Sequence, residues 1–360
     1  MGEIGKLYKG VGISKDQLSD NGEPCILYGE LYTKYKSEVI NEVISKTNIS
    51  DNKLVRSNAN DVIIPCSGET AEDIATARCV LNDNVLLGGD LNIIRLHKDN
   101  GLFMSYQLNG KRKYDIARVS QGVSVVHLYG EHLKGIKTYC PNLDEQNKIA
   151  TFLSLLDERI ATQNKIIEEL KKLKVCVRRL IFRTLNCSWF LLSELEASGD
   201  ICLKRGNIIP KHEHTDIFCY PVYSSSVQNG GLMGYNNTYM FNTELVTWSI
   251  DGGGNFFYRH KHKFNVTNVS GYMQLNEAKY NYRFVSEILL WQHSFMVFDY
   301  QTKAHPSVIR SIYKLPDVSL AEQELIANIF RLLDVKLQNE MTILKQYQQQ
   351  KQYLLCQMFI

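Results

Sequence analysis

Apolar residues recur every four, then three, positions along two stretches of the chain. In the first, Ile149, Leu153, Leu156, Ile160, Gln163, Ile167, Leu170, Lys174, Val177 and Ile181 follow that spacing. In the second, Ile326, Phe330, Leu333, Leu337, Glu340, Leu344, Tyr347, Lys351, Leu354 and Met358 do the same. This is a heptad seam and predicts helices that pack along their length. Pro141 and Pro316 precede the two starts, where proline is tolerated. The stretches also align with each other without a gap, 177 residues apart, and about 10 of 38 aligned pairs from Glu145/Glu322 to Phe182/Phe359 are identical. A helix of that length spans roughly 57 Å.

Polar residues interrupt both seams at matching places, Gln163 with Glu340 and Lys174 with Lys351. A parallel pair in register would set Lys174 against Lys351. An antiparallel register sets Lys174 against Glu340 and Lys351 against Gln163, which matches both interruptions at once. The pattern therefore predicts an antiparallel coiled coil. The competing reading places both stretches as core helices of one globule. Antiparallel helices joined directly need only a short loop. Here well over 100 residues intervene, so a folded domain is expected between them.

The chain then reads as domain, helix, domain, helix, with boundaries at 1–140, 141–186, 187–314 and 315–360. The fold class is α+β: two mixed α/β domains separated by two long helices, with a pseudo-two-fold internal repeat. Strand composition marks Asp61–Cys66, Leu91–Leu96, Glu244–Ile250 and Asn255–Phe264, and helical spacing marks Asn281–Met296. Trp189–Ser198 reads as a strand or a short helix. A fainter echo links Gly2–Lys15 to Gly199–Lys211, placing Glu3, Ile4, Lys9, Gly10 and Ile13 on Asp200, Ile201, Arg205, Gly206 and Ile209. Nothing before Gly2 corresponds to Trp189–Ser198, so the N-terminus is expected to be cut short.

Composition narrows the class. Apolar content of 44% and charged content of 22% are those of a globular protein with substantial cores. No apolar run approaches the roughly 20 residues of a membrane span, and the first residues lack a signal-peptide pattern. Nine scattered cysteines form no Cys-x-x-Cys pair, which argues against a zinc ribbon or a disulfide framework and fits a reducing cytoplasm. His212 and His214 have no Cys or acidic partner at metal-ligand spacing and read as surface residues. No phosphate-binding Gly-x-x-x-x-Gly-Lys-Ser/Thr loop, no Asn-Pro-Pro-Tyr-like step and no Ser/His/Asp signature occurs, so the chain is expected to bind and position rather than catalyse. The net charge of +3 permits nucleic acid as a partner without indicating it.

The sequences Cys140–Phe182 and Leu315–Asp334 carry a Pro, then Glu-Gln, Ile-Ala and Leu-Asp on a long helix. That pattern resembles the repeated regions of specificity subunits of type I restriction–modification enzymes. Tyr220–Phe241, Val246–Arg259, Pro24–Tyr35 and Arg118–Ile136 are similar to parts of that family's target-recognition domains. The resemblance implies a non-catalytic subunit in which each domain reads one half of a split, asymmetric site in double-stranded DNA. It implies that the helices set the gap and dock two methyltransferase (modification) subunits, which restriction/motor subunits join. It places S-adenosylmethionine, ATP and Mg on those partners, with no cofactor on this chain. The rival reading is a coiled-coil scaffold whose two domains bind proteins or glycans without DNA specificity; a third is an unrecognised hydrolase in one Tyr-rich domain.

Candidate DNA contacts follow from local chemistry. In Tyr258–Lys263, strand alternation puts Arg259, Lys261 and Lys263 on one face, a row suited to phosphates. The alternative is a solvated edge strand guarded by lysine. Tyr223, Ser224, Ser225, Ser226, Gln228 and Asn229 cluster groups able to bond bases or phosphates, or else form a polar hairpin turn. Trp248 precedes the glycine loop Ser249–Asn255, which permits close backbone approach or simply turns the chain. Gln301 and Lys303 offer similar groups, and Lys204 and Arg205 precede a Gly turn that would grip phosphate. In the first domain Lys111, Arg112, Lys113, Arg118, Ser120 and Gln121 form a basic turn followed by a base probe. Tyr32 and Lys34 interleave aromatic and cationic groups, although Tyr rows are more often half-buried sheet. Ser67 lies in a tight loop. Lys171–Lys174, Arg178, Arg179 and Arg183 make a basic end to the first helix, complementing the helix dipole or lying along DNA.

Overall fold

The computed structural model describes residues 1–50, 53–122, 125–209, 219–251, 253–296, 298 and 303–359. The heptad stretches form two long helices, Leu143–Thr184 and Leu320–Gln357. The chain divides into two compact units, one of residues 1–165 and 341–360, the other of residues 166–340. Each unit thus owns one lobe and a segment of both long helices. Among the described residues no helix is long and apolar enough to cross a membrane.

The first unit holds a sheet ordered Gly5–Lys9, Leu91–Leu96, Asp61–Pro65, Arg78–Val80, Val39–Ile40. Its pairs are antiparallel except the last, which is parallel. A second small sheet gathers Leu18–Ser19, Ser45–Thr47, Glu23–Ile26, Leu86–Leu87 and Val55–Arg56. The second unit has one six-stranded sheet ordered Ile201–Arg205, Ser270–Leu275, Phe241–Ser249, Phe256–Val266, Tyr220–Tyr223, Leu232–Asn236. Trp189–Ser198 uses both expected forms, a strand at Trp189–Leu191 and a helix at Leu192–Ala197.

The echo between the two starts is structural. Gly5–Lys9 pairs antiparallel with Leu91–Leu96, and Ile201–Arg205 pairs antiparallel with Ser270–Leu275. The glycine that follows each strand donates its N–H to the first residue of its neighbour, Gly10 to Leu91 O at 2.8 Å and Gly206 to Ser270 O at 3.0 Å. A Cβ on Gly10 would lie 2.0 Å from Gly88 O, and one on Gly206 would lie 2.2 Å from Val266 O. Backbone crowding therefore requires glycine at both places.

Each unit fastens its lobe to the helices with the same joint. In the first unit Gln146, 1% exposed, accepts the Asn100 N–H at 2.8 Å and donates to Asp99 Oδ1 and Pro141 O at 2.7 and 2.8 Å. Asn100 caps the helix Gly101–Asn109 through the Phe103 N–H. In the second unit Gln323, also 1% exposed, accepts the Asn281 N–H at 3.0 Å and donates to Lys279 O and Val318 O at 2.9 and 2.8 Å. Asn281 likewise caps Tyr282–His293 through the Phe284 N–H. These glutamines are the second letters of the repeated Glu-Gln steps. Both amide protons of each are donated and its carbonyl oxygen accepts one bond, so every polar atom of the side chain has a partner where water is excluded.

An aromatic contact completes each joint. Phe359 meets Phe103 edge-on at 5.3 Å, and Phe182 meets Phe284 edge-on at 6.0 Å. Phe182 and Phe359 are repeat-equivalent and both lie in the core. Phe359 shares its cluster with Ala150, Leu153 and Leu355, while Phe182 packs with Ala327 and Phe330. Within each unit, therefore, the start of one long helix lies against the end of the other, an antiparallel arrangement as the seams predict.

The polar register differs from the sequence expectation. Lys351 bonds Asp157 and Glu38, each at 2.5 Å. Lys174 bonds Asp334 at 2.6 Å and Glu287 at 3.3 Å. Neither lysine meets its expected partner, Gln163 or Glu340; Glu340 pairs instead with Lys336 at 2.5 Å. The repeated aspartates win because a buried ammonium needs a full counter-charge, which the lobe's Glu38 or Glu287 supplements. Tyr106 adds a hydrogen bond to Asp157 at 2.6 Å, and Arg178 bonds Glu287 at 2.6 Å. Arg283 also bonds Asp334. Lys174 and Arg178 are thereby consumed inside the second unit. Lys171 and Lys172 pair with Glu168 and Glu169 along their own helix.

Two consequences are measurable. Gln146→Ala strips partners from buried groups and should destabilise the chain by about 1–3 kcal/mol in urea unfolding. A loss below a few tenths would show that the joint carries no load. In a double-mutant cycle, Lys351→Met with Asp157→Leu should show coupling of at least about 0.5 kcal/mol, whereas Lys351→Met with Gln163→Leu should be near additive. The reverse result would restore the register read from the seams.

Candidate nucleic-acid interface

In the second unit, strand Tyr220–Tyr223 leads into a turn that returns as Leu232–Asn236. Asn229, Gly230 and Gly231 take positive φ of 50°, 60° and 84° in succession. The Gln-Asn-Gly-Gly sequence tolerates this because glycine and asparagine adopt the left-handed region most readily. The turn closes with Ser224 N–H to Gly231 O at 2.8 Å, and Ser226 Oγ accepts the Gln228 N–H at 3.2 Å. The side chains of Ser226, Gln228 and Asn229 face solvent.

Side-chain hydrogen bonds draw distant segments to this turn. Ser249, from the edge of the glycine loop, donates to Ser225 O at 2.7 Å. Thr267 donates to Ser224 Oγ at 3.2 Å. Arg205 donates twice to Asn268 O, at 3.0 and 2.8 Å. Lys303 pairs with Asp251 at 3.0 Å, and Ala304 N–H reaches Ile250 O at 3.1 Å. Lys204 is exposed beside Arg205. Most polar candidates of this domain thus belong to one constellation. Gln301, His212 and His214 lie outside the described residues.

Two candidates have other work. Trp248 is 1% exposed, donates its indole N–H to Ala304 O at 2.7 Å and covers Gly271 so closely that a Cβ there would lie 2.1 Å from the ring. It is a core residue that pins the 303–304 segment, not a contact residue. Arg259 is 7% exposed. Its Nε donates to Thr247 Oγ1 at 2.9 Å and its Nη2 to Gly230 O at 2.8 Å. The guanidinium carbon lies 3.6 Å from the Tyr223 ring centre and 4.8 Å from that of Phe257. Burial pulls its pKa down to about 10.

The expected single row of cations is broken by a β-bulge. Leu245 faces Arg259 and Thr243 faces His262, so two steps on one strand meet three on the other. The extra residue reverses the alternation beyond it. His262 consequently joins Arg259 around Tyr223, its Nε2 3.2 Å from the Tyr223 hydroxyl. Burial lowers the His262 pKa. Lys261 and Lys263 stay exposed, and Lys263 lies 4.7 Å from the Tyr239 ring centre. Only these two cations of the three are available to a partner.

In the first unit Tyr32, Ser67 and Gln121 come together. The Tyr32 hydroxyl donates to Ser67 O at 3.0 Å, and Ser67 Oγ lies 3.3 Å from His127 Nδ1. Gln121 exchanges both backbone hydrogen bonds with His127, at 2.9 and 2.7 Å. Burial raises the Tyr32 pKa. Beside them opens a cleft of about 760 Å³ lined in part by Tyr28, Lys36, Asp73 and Arg78. Lys34 does not join them: it neutralises buried Glu30 at 2.7 Å and bonds Ser45 Oγ at 2.7 Å. Lys111, Arg112 and Lys113 follow Gly110, which abuts the Leu355 backbone of the second long helix. Arg112 pairs with Asp115, and Ser120 caps its helix through Ala117 O at 2.6 Å. Arg118 lies 4.0 Å from Asp115, but its side chain is 80% exposed. Among the described residues no group of three His, Cys, Asp or Glu is placed to hold a metal ion.

Sequence reasoning missed the joint residues Gln146, Gln323, Asn100 and Asn281 and the aspartates Asp157 and Asp334. Their signal was present: Gln146/Gln323 and Asp157/Asp334 are identical pairs in the repeat.

Comparison with known proteins supplies the family. The model of the type I restriction modification DNA specificity domain matches residues 1–172 and 194–349. A putative type I specificity subunit of Mycoplasma pneumoniae is 35% identical over 152 residues, 40% of this chain and 48% of that protein. Another from the same organism, an N-terminal portion, is 37% identical over 94 residues, 25% of this chain and 50% of that one. The chain spans about half the length of these curated relatives. The crystal structure of a type I restriction-modification system S subunit from M. genitalium is similar with a TM-score of 0.63 at 17% identity, covering 100% of this chain and 94% of that one. A chain from work on complex assembly and conformational transition of the type I R-M system gives 0.62 at 11% identity, covering 98% and 95%. These two likenesses carry the fold: paired mixed α/β lobes and two long helices. With the family model matched over most of its length, this chain belongs to the type I restriction modification DNA specificity domain family.

Proposed function

We propose that this chain is the DNA-reading subunit of a type I restriction–modification complex. Each unit reads one half of a split target in double-stranded DNA, and the long helices fix the separation. The observation that carries this reading is a duplicated joint holding unlike lobes. Both lobes attach through the same glutamine, capped helix and phenylalanine, yet their sheets differ in strand number and order. Equivalent attachment with unequal surfaces suits two different half-sites, spaced near one helical turn of about 34 Å. The target is therefore asymmetric.

In the second unit, exposed Ser226, Gln228 and Asn229 meet base edges, while Lys204, Lys261 and Lys263 meet phosphates. In the first, Tyr32, Ser67 and Gln121 line the reading surface, with Arg118 on phosphate. Two methyltransferase subunits dock on the helices and restriction/motor subunits join them. S-adenosylmethionine, ATP and Mg belong to those partners, and this chain positions their chemistry without performing it.

Cells carrying this chain with its modification subunits should show adenine methylation at one bipartite, asymmetric motif in methylome sequencing. Purified complex should bind that duplex with affinity that falls steeply with salt. Lys261→Gln with Lys263→Gln should weaken binding to all sequences and flatten the slope of log affinity against log salt by about 2. Assembly of partners without any duplex dependence would favour a protein scaffold instead.

A further inference from the structure

Arg259 is a cation held in the interior without an acid. Its polar contacts include Thr247 Oγ1, the carbonyl of Gly230 and the Tyr223 side chain, and among the described residues no carboxylate pairs with it. Its plane lies over Tyr223, the last residue of the strand that enters the reading turn. A Cβ on Gly231 would sit 3.2 Å from Arg259 Nη2. The guanidinium thus reaches from one strand, Phe256–Val266, across to the middle of a turn formed by three successive left-handed residues. Such a backbone is shared among several conformations unless something outside it selects one. A planar donor fork stacked on an aromatic ring can do so, because its direction is fixed when it binds.

The geometry points to Arg259 as the positioning residue for half-site specificity: it does not touch DNA, but holds the Gly230 carbonyl so that Gln228 and Asn229 present their amides in one arrangement. This deepens the DNA-reading proposal and rests on it. A charge spent on phosphate would add to affinity for every sequence. A brace adds nothing to non-specific affinity and acts only on discrimination. Lysine keeps the charge but loses the fork and the stack, so Arg259→Lys separates the two roles.

The test uses the full chain with its modification subunits, compared by methylome sequencing and by duplex binding at several salt concentrations. With Arg259→Lys, the half of the motif read by the second unit should become degenerate. Discrimination there should fall roughly tenfold or more, the scale of a lost bidentate base contact. The other half of the motif should keep its sequence, and the salt slope on non-specific duplex should stay at its wild-type value. Gln228→Ala with Asn229→Ala should relax the same positions, and adding Arg259→Lys to it should relax them no further. An unchanged motif in Arg259→Lys overturns the inference. So does methylation that falls at every site while both halves keep their sequence, since that is loss of fold alone. A salt slope reduced by about 1 in Arg259→Gln with discrimination intact also overturns it, by making Arg259 a phosphate contact. If the wild-type chain gives no bipartite motif, it is the DNA-reading proposal that fails, and this one with it.

Discussion

A buried side-chain amide with nowhere else to bond is the constraint on which this architecture depends. Gln146 and Gln323 each sit where a long helix begins, where backbone groups lack intrahelical partners. Each reaches out to the capped start of a helix in its lobe and back to the segment preceding its own helix. One amide therefore ties three pieces of backbone together. The direction of its bonds fixes how the capped lobe helix meets the long one, which apolar packing alone would leave loosely defined. The phenylalanine contact then adds apolar packing, and the Lys–Asp–Glu clusters supply polarity that opposes slip along the helix.

The joint explains how one chain accommodates two unlike lobes. What the lobes share is confined to what the joint touches: a capping asparagine, a phenylalanine three residues later and an acid that meets the repeated lysine. The rest of each lobe is free to differ. Among the described residues the first is built on two five-stranded sheets beside a cleft; the second is built on a six-stranded sheet whose loops are laced by side chains. The residues of the joint are thus separate from those that differ between the lobes, which lets surface change without loss of support.

Within the second lobe, support and contact are again divided. Trp248 and Arg259 are bulky polar-tipped side chains near the Ser224–Gly231 turn, and both are buried. They stabilise loop backbone through carbonyl oxygens, Ala304 and Gly230. The groups left outside are short amides and hydroxyls with the exposed cations Lys204, Arg205, Lys261 and Lys263. The geometry of that polar surface is set by the buried shell beneath it.

The heptads by themselves determined that there are two long helices, since periodicity follows from the helix repeat and needs no tertiary information; the head-to-tail pairing rests in the sequence on the polar interruptions, whose partners in the structure are Asp157 and Asp334 instead. The repeat determined that two domains hang on them, and the motif determined the family. Strand composition located Leu91–Leu96 and the core of Phe256–Val266. The helix Gly101–Asn109 was not legible, because residues Phe103 to Leu108 are all buried and leave no amphipathic period. Only the tertiary structure decided the polar register, since the counter-charges Glu38 and Glu287 come from the lobes and are invisible to a seam read alone. It likewise decided which cations are free. A single bulge at His260–Lys261 turned Arg259 inward and left Lys261 and Lys263 outside, and a bulge depends on cross-strand pairing that no local pattern records.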